Sequence, residues 1–420
     1  MIAIVGAGPV GLVTGLFLSR QDNTNVTIIE ARPKEKVINA SGRSINLALS
    51  HRGLTAIKQA CPAAYEKIMQ LAIPVVGRMV HQLLESRKGI KGKEVVDEYG
   101  GCIYSVSRNA LMEILLSEAG RSCAIRFQSK VDEIVFGDLV VIRFADGQGE
   151  LEAEKVIGCD GVNSAVRKLC CKGSEIIESK IRYKEIYIPP DRKLSPKHLH
   201  IWPNPQGGNM FMALPNADGS FTGTLFSENR EESVESILKD YSNHLLKYVH
   251  LEELFDEWLK NEWSALCEVR RSDWSSTDDR IIVIGDAAHA MLPFFGQGLN
   301  CGLEDARLLS KAINDGISFE AFAKARQPDT LAIQTLSREN WAVMNGGELA
   351  FGYRLDKLRI ALMRFFSPEI TGLYQMVTFT DIPYGEAVRI YAKWKRMFLL
   401  CTVITLLMVI LVLYAKVYLL

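Results

Sequence analysis

The chain has no C-x-x-C pair, no His/Cys grouping at metal-ligand spacing and no excess of either charge, with 49 Lys+Arg against 49 Asp+Glu. The first two absences exclude a zinc module and a dithiol redox centre, and no metal site is expected. The third, with no basic patch carrying interleaved aromatics, excludes a nucleic-acid partner. Overall balance is blind to local steering, so small acidic ligands remain open. The nine cysteines are scattered and odd in number, and adjacent Cys170 and Cys171 can form only a strained bridge. Reduced thiols in a cytosol-facing compartment follow. The seven histidines read as structural. Internal repeats and low-complexity segments are also absent. Ile2–Val5 runs straight into glycines with no basic leader and no A-x-A site, so the N-terminus is not expected to be a cleaved signal.

At 420 residues, 48% hydrophobic and 23% charged, the chain exceeds one ordinary core and predicts two closely packed globular domains. One long hydrophobic run is present, Phe398 to Ala415, without a charge. With Met397 and Val417–Leu420 it approaches the length that crosses about 30 Å of hydrocarbon. Lys393, Lys395 and Arg396 precede it, which places the preceding domain on the cytosolic side. Lys416 can snorkel at the far end. A buried core helix is the alternative, but nothing obvious covers an all-round apolar helix here.

The first 30 residues read as strand, tight turn, helix, strand: Ile2–Val5, glycines, Val10–Leu18, Val26–Ile29. A helix is predicted at Ala110–Arg121 and strands at Val140–Phe144 and Glu154–Ile157. Short strands broken by Pro, Asn and Gly fill Ile181–Phe226, and Glu231–Lys260 has helical spacing. Strand–helix texture returns at Ile281–Ile284, Leu303–Ile313 and Phe319–Phe322. Met344–Phe366 reads as a helix with Arg354, Lys357, Arg359 and Arg364 on one side. The predicted fold class is α/β (α+β). A discontinuous Rossmann-like domain (1–70, 98–178, 272–343) is interrupted by a β-sheet substrate domain (71–97, 179–271). C-terminal helices (344–396) and a transmembrane helix (397–420) follow.

Three segments carry cofactor chemistry. In Gly6-Ala7-Gly8-Pro9-Val10-Gly11 the first glycine permits the turn, the second lets a pyrophosphate approach, and the third lets helix pack on strand. The helix N-terminus then offers free N–H groups and a favourable dipole to phosphate. Glu30, about 20 residues on, suits the adenosine ribose hydroxyls. In Val156–Arg167 a strand ends in Asp160-Gly161 before a helix. The bland reading is Asp160 as a helix cap. In Ile284-Gly285-Asp286, continuing to Pro293–Asn300, Asp286 can accept from ribityl hydroxyls. The glycine-rich helix start at Gly296–Asn300 can stabilise charge on a reduced flavin. Each segment alone has a structural reading; together, in this order, they specify non-covalent FAD.

These segments resemble the single-component flavoprotein aromatic hydroxylases and, among them, the kynurenine 3-monooxygenase family. Gly42–Ser50, Ser105–Arg108, Leu199–Pro203, Ala213–Asn216, Gly285–Asn300 and Met376–Phe379 carry the likeness, which spans Ile2 to about Arg396. The resemblance implies that Arg43 and Ala48 lie beside the flavin and that Arg108 contacts the cofactor. Asp286 would hold the ribityl chain, and Gly298, Leu299 and Asn300 would approach the ring. Arg32 and Val131 join Gly6, Gly8, Val10, Gly11, Glu30 and Asp160 in the expected cofactor set. Surface solvation is the bland reading of Arg43 and Arg108.

The substrate implied is L-kynurenine, whose carboxylate requires a bidentate cation. Arg78 holds the family position. Its tyrosine partner falls at Tyr99, with Tyr104 a rival because Lys88–Gly101 departs in length and composition. Asn345 and Tyr384 match two further carboxylate contacts, and Phe294 walls the ring; packing is the bland reading of Tyr384 and Phe294. The family consumes NADPH and O2 and hydroxylates through a flavin hydroperoxide. The substrate's own amino group activates the ring, so no protein base is nominated. Its implied address is the mitochondrial outer membrane, with the endoplasmic reticulum an alternative. Two other readings stand beside it. One is a related membrane-anchored flavin monooxygenase acting on a quinone precursor or other apolar lipid. The other is a non-catalytic flavin-fold escort protein.

Overall fold

A computed structural model describes residues 1–21, 24–39, 46–86, 89–171, 173–190, 193–204, 207–228, 245, 248, 258–270, 273–345, 358–365 and 370–418. Arg43 and most of the predicted Glu231–Lys260 and Met344–Phe366 helices lie outside these residues.

The N-terminal unit forms as its pattern predicts. Strand β1 (Ile2–Val5) is buried along its whole length and pairs in parallel with β2 (Val26–Ile29) on one side. On the other side it pairs with β10 (Lys155–Gly158). Addition of β6 (Ala124–Arg126) and β16 (Ile281–Val283) completes a five-stranded parallel sheet in the order β16-β10-β1-β2-β6. Strands from three distant parts of the chain thus share one sheet. Such continuous apolar strands are stable only when helices cover both faces. Helix α1 (Pro9–Leu18) packs on α5 (Arg108–Ala119) and on α8 (Gly298–Asn314), and all three contribute to one large apolar core.

The second sheet has eight strands in the order β15-β11-β14-β13-β12-β4-β5-β3, with β13 at Asn209–Pro215, β14 at Phe221–Ser227 and β15 at Ser264–Arg270. It includes β4 (Ile73–Ser86), β5 (Gly89–Ser107), β11 (Glu175–Ile188) and β12 (His198–Pro203). It does not respect the boundary expected at residue 98. Strand β5 runs through it, and β3 (Asn46–Leu49) pairs with the far end of β5. Strand β3 and the strands on the far side of residue 98 are therefore one hydrogen-bonded surface. A small antiparallel sheet, β7 (Val131–Phe136), β8 (Val140–Phe144) and β9 (Glu150–Ala153), is a separate addition.

Helix α9 extends from Phe319 to Met344, well past the predicted Phe322, and passes through Pro328. The buried ion pairs of Arg326 with Glu304, Asp305 and Asp329 hold the helix on either side of that proline. The last helix, α11 (Tyr384–Tyr418), has 35 residues, roughly 50 Å at 1.5 Å each. Its first turns pack Tyr384 and Ala387 into a core with α9 and α10 (Leu373–Phe379). From Met397 to Tyr414 its large apolar side chains lie exposed, and the helix is long and apolar enough to cross a membrane. No described residue buries this stretch.

Candidate flavin and substrate site

The glycine loop closes where β1 meets α1. Gly6 has φ +107°, and a Cβ there would lie 2.5 Å from the Cys159 carbonyl oxygen. A Cβ on Gly11 would lie 2.0 Å from the Gly6 carbonyl oxygen. Over Gly8, by contrast, nothing lies within 4 Å, so the helix N-terminus faces open space beside Val10. Glu30 ends β2 and is buried. It accepts from the Ala7 N–H at 3.0 Å and from the Arg32 N–H and Nε at 2.9 and 2.8 Å. Burial by itself would raise its carboxyl, but the Arg32 contacts and the Ala7 N–H together hold it below the usual range. Val131 starts β7 close by, because the Ser129 N–H donates to the Glu30 carbonyl at 2.9 Å.

Asp160 reconciles its two readings. Its Oδ2 caps the helix Ala165–Cys170, accepting from the Ala165 and Val166 N–H at 2.7 and 3.3 Å. Its Oδ1 is buried with no hydrogen-bond partner among the described residues. A buried orphan acceptor requires a donor from elsewhere. Burial raises this carboxyl, opposed by the Ser164 hydroxyl and the two N–H donors.

Asp286 follows β16 and opens a short helix, α7 (Asp286–His289). Its side chain is open to solvent although protein surrounds it at interior density, which describes the floor of a cleft. Burial raises its carboxyl, with His289 opposing and Asp305 adding. Arg108, at the start of α5, is half-buried; desolvation lowers its pKa and the neighbouring Arg32 lowers it further. The orphan Asp160 oxygen and the open helix start at Gly8 fit a dinucleotide bearing ribitol hydroxyls and a pyrophosphate. The residues present therefore fit FAD.

Asn300 organises the end where the flavin ring is expected. Its Oδ1 accepts from the Ser50 N–H at 2.8 Å, and its Nδ2 donates to the Ala48 and Gly296 carbonyls, both at 2.9 Å. Asn300 thus ties β3 to the glycine-rich start of α8, where Gly298 and half-buried Leu299 follow. Arg167, fully buried, spans the other two segments by donating to the Ala287 and Val162 carbonyls, both at 2.6 Å.

Next to this end lies an inner cavity of about 70 Å³, walled by Ala48, Tyr99, Phe294, Gln297 and Tyr374 among others. It shares Arg78, Tyr99, Phe295, Asn340 and Tyr374 with an outer vestibule of about 860 Å³. Arg78 on β4 stands directly across from Asp97 on β5. The two form an ion pair, with Arg78 Nε and Nη2 each 3.0 Å from Asp97 Oδ2. Between Val75 and Gly77 the β4–β5 register shifts, so β5 carries 99–102 opposite Val76. Such bulges re-aim side chains, and this one buries Tyr99 with its ring 5.1 Å from that of Tyr374. Burial, reinforced by Tyr374, pushes the Tyr99 phenol well up, so it stays a neutral donor. Tyr104 lies past the bulge, in the main core, and lines neither space.

Phe294 is buried in the inner wall, 4.6 Å from the Trp341 ring and 5.1 Å from Phe226, so walling and packing coexist. Asn345 and Tyr384 are not in either lining. The Asn345 amide pairs with the Asn209 carbonyl at 2.6 Å and the Gly208 N–H at 3.0 Å. Tyr384 lies fully buried beneath Arg52, 4.1 Å from its ring centroid, and donates to Gln297 Oε1 at 3.2 Å. Asn340, earlier on α9, and Tyr374 on α10 line both spaces. The sequence signal for Tyr374 was present two residues ahead of the family-like Met376–Phe379 string. Asn340 has no local signature, because its position depends on the length of α9.

His289, Cys301 and Asp305 are close enough to hold an ion. Arg326 occupies their midst, 2.9 Å from Asp305 and 3.5 Å from the Cys301 sulfur, and a guanidinium there opposes a metal.

Comparison with known proteins agrees with this geometry. The FAD binding domain family matches residues 1–321. The structure of 2-methyl-3-hydroxypyridine-5-carboxylic acid oxygenase superposes with a TM-score of 0.67 at 19% identity, covering 83% of this chain and 93% of that one. Fold and site thus define an FAD-binding flavoprotein of the aromatic-hydroxylase type. The kynurenine 3-monooxygenase of Candida albicans is 33% identical over 94% of this chain and 92% of its own length. That of Saccharomyces cerevisiae is 33% identical over 94% and 93%. The chain belongs to the kynurenine 3-monooxygenase family.

Proposed function

We propose that the chain hydroxylates L-kynurenine to 3-hydroxykynurenine, consuming one NADPH, one proton and one O2 and releasing NADP+ and water. The observation that carries this reading is the junction of the two cavities. Arg78 is held there by a cross-strand carboxylate, with Tyr99 and Tyr374 beside it and the Asn300-organised flavin loop facing the inner space. FAD, when bound and reduced, supplies the activation of O2. The protein's residues do the rest. Arg78 takes the substrate carboxylate through its planar fork, and the two tyrosines orient it. Phe294 offers an apolar face to the aromatic ring. The walls exclude water from the reacting atoms.

Asp160 and Asp286 would hold the ribityl side of the cofactor, Glu30 the adenosine ribose, and Arg32 with Arg108 its negative charge. Arg43 is proposed to lie beside the flavin on family resemblance alone. An apolar-lipid substrate is disfavoured because the junction carries an ion pair. An escort protein has no use for a flavin-facing loop of this kind. The exposed apolar stretch of α11 supports a membrane anchor with the catalytic domain on the cytosolic side, and the family likeness suggests the mitochondrial outer membrane.

The test is NADPH oxidation by the purified, FAD-loaded full chain, with and without L-kynurenine. Acceleration by kynurenine is expected. A yellow protein whose NADPH oxidation ignores kynurenine would sink this substrate assignment.

A further inference from the structure

The proposed substrate is a zwitterion, and a site built only for its carboxylate would leave its α-ammonium without a counter-charge in a largely enclosed space. Burying an unpaired ammonium is strongly unfavourable. The missing charge lines the outer vestibule beside Arg78, the residue that the two spaces share. Asp97 faces Arg78 across the β4–β5 pair, with Arg78 Nη2 3.0 Å from its Oδ2. Both side chains are mostly enclosed, at 14% and 18% exposure. The other acids lining the vestibule are placed differently. Glu98 is 59% exposed and turned to His198 at 3.3 Å, and Glu339 is exposed on α9.

Resting on the kynurenine reading, we propose that Asp97 is the ammonium-binding residue. The Arg78–Asp97 pair then recognises an α-amino acid as a unit, the guanidinium taking the carboxylate and the aspartate the ammonium. A carboxylate offers acceptor sites for about four hydrogen bonds, so one aspartate can accept from a guanidinium and an ammonium together. The pre-formed pair also explains how Arg78 stays oriented before substrate arrives. Asp97 makes the site selective for amino acids over simple keto acids bearing the same aromatic ring.

The experiment compares L-kynurenine with its des-amino analogue, 4-(2-aminophenyl)-4-oxobutanoate, on FAD-loaded full chain. Wild type should prefer kynurenine in kcat/KM by about 10- to 100-fold, the size of one charge-assisted hydrogen bond. In Asp97→Asn that preference should collapse, through a higher KM for kynurenine and an equal or lower KM for the analogue. Asp97→Glu, which keeps the charge, should retain a preference. Equal use of both compounds by wild type would overturn the proposal without any variant. Equal losses for both compounds in Asp97→Asn would also overturn it, leaving Asp97 only to orient Arg78. A wild type that ignores kynurenine altogether fails the substrate reading itself, a distinct result that removes this proposal with it. Flavin absorbance and the unfolding temperature report whether each variant is folded.

Discussion

At the scale of single residues, geometry separates tyrosines that sequence alone treats alike. Tyr99 and Tyr374 meet in the cavity wall, whereas Tyr384 is sealed under Arg52 and bonds the wall residue Gln297. Tyr374→Phe should therefore raise the KM for kynurenine several-fold, by roughly the 1 kcal/mol of one hydrogen bond. Tyr384→Phe should leave KM within about two-fold while lowering stability. Steady-state kinetics on both variants decides, and the reverse pattern would return the substrate role to Tyr384. Arg78→Ala should raise KM by at least about 10-fold with FAD still bound, since a charged partner is lost; an unchanged KM would put the carboxylate clamp elsewhere.

Glu30 adds a pH dependence. Its folded carboxyl is held below its ordinary value, so the unfolded chain binds the proton more readily. Its contribution to stability is present above the unfolded pKa, near 4.3, and is lost as pH falls through the folded one. Glu30→Gln should flatten the loss of stability on acidification from about pH 5 to pH 3, measured by urea unfolding. An unchanged acid limb would contradict the assignment.

Secondary elements show why the cofactor loops were more legible than the substrate site. The glycine loop, Asp160-Gly161 and Gly285-Asp286 each sit at a strand end, where the local pattern dictates both conformation and direction. Tyr99 depends instead on a bulge opposite Val76, and Tyr374 and Asn340 on helices whose lengths no local pattern fixes. The sheet crossing the expected domain boundary has the same origin. The β3–β5 pairing joins Asn46 to Ser107, residues distant in sequence, which local periodicity does not encode.

Elements also share a buried ionic core that the linear pattern concealed. Asp305 on α8 accepts from the Gly285 N–H at 3.0 Å and from Arg326 Nε at 2.9 Å, and it bonds His289. Asp329 on α9 accepts from the Gly385 N–H at 2.7 Å. The turn before Asp286 is thereby tied to the start of α11. Arg326→Ala leaves buried carboxylates uncompensated and should cost about 3–5 kcal/mol. Thermal unfolding and FAD titration by flavin fluorescence should both register it. A variant as stable and as tightly flavinated as wild type would show that the network does not support the loop.

For the whole molecule, the eight-stranded sheet carries flavin-side β3 and substrate-side β4 and β5 as one surface, so the inner cavity lies between rigid walls. The long C-terminal helix begins in the core beside α9 and ends as an exposed apolar rod. Removal of Met397–Leu420 should release the protein from membranes while leaving the packed first turns in place. Fractionation of full-length and shortened protein tests this. Full-length protein found wholly in the soluble fraction would contradict the anchor.

The most direct test of the central claim is the product formed under 18O2. Full-length, FAD-loaded protein with NADPH and L-kynurenine should yield 3-hydroxykynurenine heavier by one 18O atom, resolved by mass spectrometry. Unchanged kynurenine, or a hydroxylated product without the label, would contradict the account.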